Sequence, residues 1–129
     1  MYCLDTNIAI DIFRGDESLR KKIEKIQDFD VVFITPITLC ELYKGVYLYH
    51  KPKEKIGDVN LFVANYQVLD FDLESCKEFG KIYADLNKEG KAIPESDLMI
   101  ASITKTNDLI LVTRDKKHFE NTGVKIEVW

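Results

Sequence analysis

Four acidic residues stand at the junctions between short apolar runs and helical segments, where side chains able to do chemistry tend to collect. Asp5 directly follows Tyr2-Cys3-Leu4, and Asp115 follows Leu111-Val112 after Thr113 and Arg114. Glu41 lies on a segment opened by Thr35-Pro36, and Asp97 on one opened by Pro94. Taken singly, most have a plain structural role: Asp5 and Asp115 make good helix N-caps, and Asp97, like Glu95, suits the positive end of a helix. Glu41 is harder to place in this way. Thr35-Pro36 marks the helix start, so Glu41 falls nearly two turns in, between Leu39 and Leu42 and close to the apolar stripe, where an isolated acid is costly. Four carboxylates in one cleft repel one another unless a cation is held between them. Oxygen ligands with no His or Cys among them suit Mg²⁺ or Mn²⁺ and not zinc. Such a cation activates water and neutralises a phosphodiester, so the chemistry indicated is metal-dependent hydrolysis of a nucleic-acid backbone.

The elements that must position these acids follow from periodicity. Tyr2-Cys3-Leu4, Val31-Val32-Phe33-Ile34, Gln67-Val68-Leu69-Asp70-Phe71, Leu109-Ile110-Leu111-Val112 and Val124 to Val128 read as strands. Helices are predicted after Asp5, through Leu19, Ile23 and Ile26, from Pro36 to beyond Tyr47, from Pro52 to about Ala64, from Asp72 to Gly90 and from Pro94 to Asn107, with a short turn at Lys116 to Phe119. Strands apolar on both faces and separated by helices imply an α/β fold, a three-layer α/β/α sandwich around a central, mostly parallel sheet of about five strands. Right-handed crossovers bring the helix starts to one edge of that sheet, so the four acids are expected to converge.

A chain of 129 residues, 46% hydrophobic and 31% charged, has the size and composition of one folded domain over 1–129. The net charge of −4 excludes a binder that holds nucleic acid through a large basic excess. Leaving out the four candidate ligands makes the remainder formally neutral, so the acid excess belongs to one site. Cys3, Cys40 and Cys76 are odd in number and widely spaced, and no apolar run is of membrane-spanning length, which points to a cytoplasmic protein without a membrane segment.

Leu4-Asp5-Thr6-Asn7, Glu41 in the helix after the second strand, Asp97-Leu98-Met99-Ile100-Ala101 and Val112-Thr113-Arg114-Asp115 together resemble the PIN-domain ribonucleases, and among them the VapC-type toxins of toxin–antitoxin modules. The likeness covers essentially the whole chain. It implies an endoribonuclease with Asp5, Glu41, Asp97 and Asp115 around one or two Mg²⁺ or Mn²⁺ ions. It further implies that Asn7 and Thr113 orient those acids by hydrogen bonds, that the chain forms homodimers, and that a small antitoxin inhibits it by occupying the site.

Other features carry plainer readings. His50 and His118 are expected at the surface, away from the carboxylates. Basic runs occur at Arg20-Lys21-Lys22-Lys25, His50-Lys51-Lys53-Lys55 and Arg114-Lys116-Lys117-His118; most such runs are solvated faces. Because it flanks Asp115, the last run supplies the expected RNA-phosphate contacts in Arg114, Lys116 and Lys117. Tyr43, Tyr47 and Tyr49 with Leu42 and Leu48 make one helix apolar around more than half its girth, as core or as a partner interface. Two rival functions are a non-catalytic metal- or RNA-binding module and an aspartyl phosphoacceptor or phosphatase. The latter wants Asp-x-Asp where this chain has Asp5-Thr6-Asn7.

Overall fold

A computed structural model describes residues 1–129. In chain order the elements are β1 (Tyr2–Leu4), α1 (Thr6–Phe13), α2 (Glu17–Gln27), β2 (Val32–Ile34), α3 (Pro36–Leu48), α4 (Pro52–Val63), β3 (Gln67–Val68), α5 (Leu73–Lys88), α6 (Glu95–Thr106), β4 (Ile110–Thr113), α7 (Lys116–Phe119) and β5 (Lys125–Val128). The five strands form one sheet in the order β3-β2-β1-β4-β5, and every pairing is parallel. The third strand is shorter than the apolar run from Gln67 to Phe71 suggests. Only Gln67 and Val68 pair, at the sheet edge, and both are exposed, so burial does not extend the pairing. No helix is long and apolar enough to cross a membrane.

Alternation along β4 shows how the layers form. Val112 joins Leu4, Ile8, Ile12, Ile23 and Ile34 in a core under α1 and α2, whereas Leu111, its neighbour, packs with Ile100, Ala101 and Phe119 from α6 and α7. Helices therefore cover both faces, and α5 stacks on α6 through Ile82, Leu86 and Leu98. Gly15, at φ +101°, makes the tight turn from α1 into α2 that a side chain would strain. Asp16 then caps α2 through Leu19 N–H at 3.1 Å.

The chain lays β2 and β3 on one side of β1 and β4 and β5 on the other, so strand order reverses between β1 and β4. A crevice beyond the carboxyl ends of the strands belongs at such a point. Leu4 is in register with Val112, and the Asp5 N–H donates to the Val112 carbonyl at 2.9 Å. The ends of β1 and β4 are thus held side by side, which brings Asp5 and Asp115 to the same edge.

Candidate active site

Asp5, Glu41 and Asp97 line one polar cleft of about 240 Å³, together with Asn7, Ser96 and the side chains of Ile10 and Ile37. Asp5 forms its floor and is 4% exposed. As N-cap of α1 it accepts from the Thr6 N–H at 2.7 Å through Oδ1, while Oδ2 accepts from the Thr113 hydroxyl at 2.7 Å. Burial pushes the Asp5 carboxyl above its ordinary range, and the nearby charges of Asp97 and Asp115 push the same way, while the Thr113 and Thr6 bonds act against them. Asp97 sits in the first turn of α6, 21% exposed. Asp115 does not line the cleft; its side chain, 41% exposed, is linked to Asp97 through His118, and it makes no capping bond to α7.

Thr113 is fully buried and serves two acids at once. Its hydroxyl donates to Asp5 and accepts from the Asp115 N–H at 2.9 Å, so the last residue of β4 fixes both. Asn7 lines the cleft but makes no side-chain hydrogen bond to an acid; the orienting contacts come instead from Thr113 and from the Thr6 backbone. Glu41 is less buried than its place between Leu39 and Leu42 suggests. The buried stripe of α3 runs through Thr38, Leu42 and Val46, which leaves Glu41 on its flank, 40% exposed and 3.0 Å from the Lys44 ammonium. Glu95 is exposed and does not line the cleft.

His118 departs from its expected surface role. Its Nδ1 lies 2.7 Å from Asp97 Oδ2 and 2.9 Å from Asp115 Oδ2, so it joins the two acids as a shared donor. The short helix α7 explains this, since three residues beyond Asp115 is one turn along the same face. That spacing was the signal available in the sequence. Replacing His118 by Ala is expected to lower the melting temperature of the metal-free protein by a few degrees, about 0.5–1 kcal/mol, because two carboxylates then face each other without a donor. Scanning calorimetry with and without Mn²⁺ checks it: the rise in melting temperature caused by Mn²⁺ should be larger in His118→Ala than in the unaltered protein.

The basic run after β4 divides in two. Arg114 is held by Asp11 on α1 and, at 3.3 Å, by Asp16, the N-cap of α2, which ties the end of β4 to both helices. Lys116 and Lys117 are exposed and have no carboxylate partner. His50 lies elsewhere, its ring 4.2 Å from that of Tyr49.

The donor set fits a hard divalent cation. Asp5 has no basic partner, and Asp97 and Asp115 pair only with the imidazole of His118. All the carboxylates offer oxygen, and no cysteine joins them. No three acid or histidine side chains surround a common point closely enough to form a closed cage. An open arrangement suits an ion that keeps several waters and takes only one or two carboxylates directly.

A parallel sheet with acids gathered where its strand order reverses suits a metal-assisted hydrolase of the α/β class. The PIN domain family model matches residues 2–125, and the chain belongs to that family, among the VapC ribonucleases. It is 32% identical to Ribonuclease VapC2 of Haemophilus influenzae over 99% of this chain and 97% of that one. It is 31% identical to the tRNA(fMet)-specific endonuclease VapC of Shigella flexneri, again over 99% of this chain and 97% of that one. Among solved structures, DNA-bound VapBC from Salmonella typhimurium superposes with a TM-score of 0.91 at 30% identity, covering 99% of this chain and 97% of that one. VapBC2 from Rickettsia felis, bound to a promoter DNA fragment, gives 0.93 at 26% identity, covering 99% and 98%. PIN-domain nucleases depend on divalent metals, in keeping with the donor set of the cleft.

Proposed function

We propose that the single PIN-like domain of residues 1–129 is the endoribonuclease toxin of a VapBC-type pair, acting in the cytoplasm on RNA phosphodiester bonds. Asp5, Asp97, Asp115 and Glu41 would hold Mg²⁺ among them, one or two directly and the others through bound water, with Mn²⁺ as a working substitute. The observation that carries this reading is the buried Asp5 at the end of β1, which has no basic partner and shares the cleft with Asp97. A cation bound there supplies a water nucleophile at neutral pH and screens the negative charge gathering on the phosphodiester. Thr113 orients Asp5 and the Asp115 backbone, and His118 keeps Asp97 and Asp115 side by side. Lys116 and Lys117, exposed on α7 next to Asp115 in the chain, contact the RNA backbone, which positions substrate without reading its sequence. Arg114, in contrast, holds the fold together through Asp11 and Asp16. Its partners are RNA, a cognate antitoxin that covers the cleft, and a second copy of the chain.

The ends of the cleaved RNA test the chemistry. Attack by water on phosphorus with departure of the ribose 3′ oxygen leaves a 5′-phosphate on one fragment and a 3′-hydroxyl on the other. Incubating the purified protein and an internally labelled RNA with Mg²⁺ is expected to yield those ends. Fragments ending in 2′,3′-cyclic phosphate would show attack by the ribose hydroxyl and overturn the assignment. Tight cation binding without cleavage of any RNA would favour a non-catalytic binding module.

A further inference from the structure

A second groove, of about 250 Å³, runs beside the acidic cleft and shares two of its walls, Ile10 and Glu41. Its floor is apolar, made by Leu42 and Val46, and its rim carries Arg14, Tyr49 and Lys55. Among the arginines, the one on that rim stands apart. Of its three arginines, Arg20 is held by Glu17 and Glu24, and Arg114 by Asp11 and Asp16. Arg14 is exposed and has no carboxylate partner, although it lies between Asp11 and Asp16, the acids that hold Arg114. The Lys55 ammonium also has no acidic partner and rests over aromatic rings, 5.0 Å from the centre of Tyr49 and 5.9 Å from that of Phe13. Tyr49 is exposed beside it.

An aromatic face next to unpaired cations, opening directly into a carboxylate site, has the chemistry of a single-stranded nucleic-acid channel. Such channels stack bases on aromatic rings and hold the backbone with Lys and Arg. We propose that this groove receives the nucleotide flanking the scissile phosphate of a single-stranded RNA, with Tyr49 stacking on its base and Arg14 and Lys55 contacting its phosphates. Lys55 leaves the ring face for a phosphate oxygen as the base takes its place. With Lys116 and Lys117 on α7, which reaches the cleft through the His118–Asp97 contact, the RNA then has cations on both sides of the carboxylates. This assignment rests on the ribonuclease reading, and its test separates the two.

Binding is measured in a non-cleaving Asp97→Asn background, by fluorescence anisotropy of a labelled 12-nucleotide single-stranded RNA across a range of salt concentrations. Adding Arg14→Ala and Lys55→Ala together is expected to weaken binding about tenfold and to flatten the slope of log affinity against log salt by about 1.4, the value for two lost contacts on a single strand. Tyr49→Leu should weaken binding at unchanged slope. In the otherwise unaltered protein, Mn²⁺ affinity by titration calorimetry should be the same with and without the Arg14 and Lys55 substitutions, because neither residue lies among the proposed ligands. Arg14→Glu, a charge reversal on an exposed residue, serves as a second variant and should weaken binding further. Unchanged RNA affinity and slope in these variants would overturn the groove while leaving the loss of cleavage in Asp97→Asn intact. Release of a bound protein partner with RNA affinity unchanged would also overturn it, by showing the groove to be a protein-docking surface. If the unaltered protein cleaves no RNA and yet these substitutions weaken binding, the groove stands and the nuclease reading falls.

Discussion

Asp97→Asn is expected to lower single-turnover RNA cleavage by on the order of 10³-fold, equivalent to about 4 kcal/mol of lost transition-state stabilisation. The substitution keeps the size of the side chain. An amide oxygen still accepts from His118 Nδ1, which donates to Asp97 in the unaltered protein at 2.7 Å. What disappears is a charge in the first turn of α6, beside Asp5 in the cleft. The fold should survive, as an unchanged circular dichroism spectrum would show, while Mn²⁺ affinity falls. Chelation with EDTA should bring the unaltered protein down to the level of the variant and cost the variant little more, because both remove the same group from the reaction. Cleavage by Asp97→Asn within threefold of the unaltered rate would remove Asp97 from the proposed site.

Asp5→Asn is expected to act in opposite directions on stability and on metal response. Burial and the neighbouring acids raise the Asp5 carboxyl above its ordinary value in the folded protein. A raised carboxyl binds protons more readily folded than unfolded, so its penalty is absent below the unfolded value of 3.8, grows as pH rises through the folded value, and is fully present above it. Asn removes that penalty and still meets its neighbours, accepting from the Thr6 N–H and donating to the Thr113 oxygen. At pH 7 without metal, Asp5→Asn should therefore melt higher by about 1 kcal/mol, roughly 4 °C. The difference should vanish as pH falls below that unfolded value. Saturating Mg²⁺ should reverse the order, since a ligand at a hundred times its dissociation constant adds about 2.7 kcal/mol to the protein that binds it. Calorimetric scans at two pH values, with and without Mg²⁺, read all of these effects; a metal-free Asp5→Asn that melts lower at pH 7 would contradict the account.

Much of this site was legible before any coordinates, for a definite reason. Apolar strands followed at once by acids reveal both the sheet and the edge at which Asp5 and Asp115 emerge, because strand and acid are local features of the chain. Contacts set by distant segments were not legible. Arg114 reads as a free cation beside Asp115, yet its partners lie 103 and 98 residues earlier, on either side of the turn made by Gly15. Asn7 sits at a motif position but finds no acid to bond, whereas Thr113 bonds two of the site's residues at once. Glu41 shows how coarse a helical stripe is: a shift of about 100° around α3 separates Leu42 from a half-exposed acid paired to Lys44. His118 was missed because a helix of four residues shows too little periodicity to assign a face.

The bond from Thr113 to Asp5 joins residues 108 positions apart. Its partner strands β1 and β4 come from the two ends of the chain, so the site cannot exist on a partial chain. A ribosome adds roughly 5–20 residues per second, and the N-terminal half emerges long before β4 does. Throughout that interval Asp5 lacks the Thr113 hydroxyl that holds it in the finished site. The carboxylates of the proposed site are thus assembled only once β4 has paired with β1, and a chain cut before β4 is expected to cleave no RNA in the assay that reads the unaltered protein.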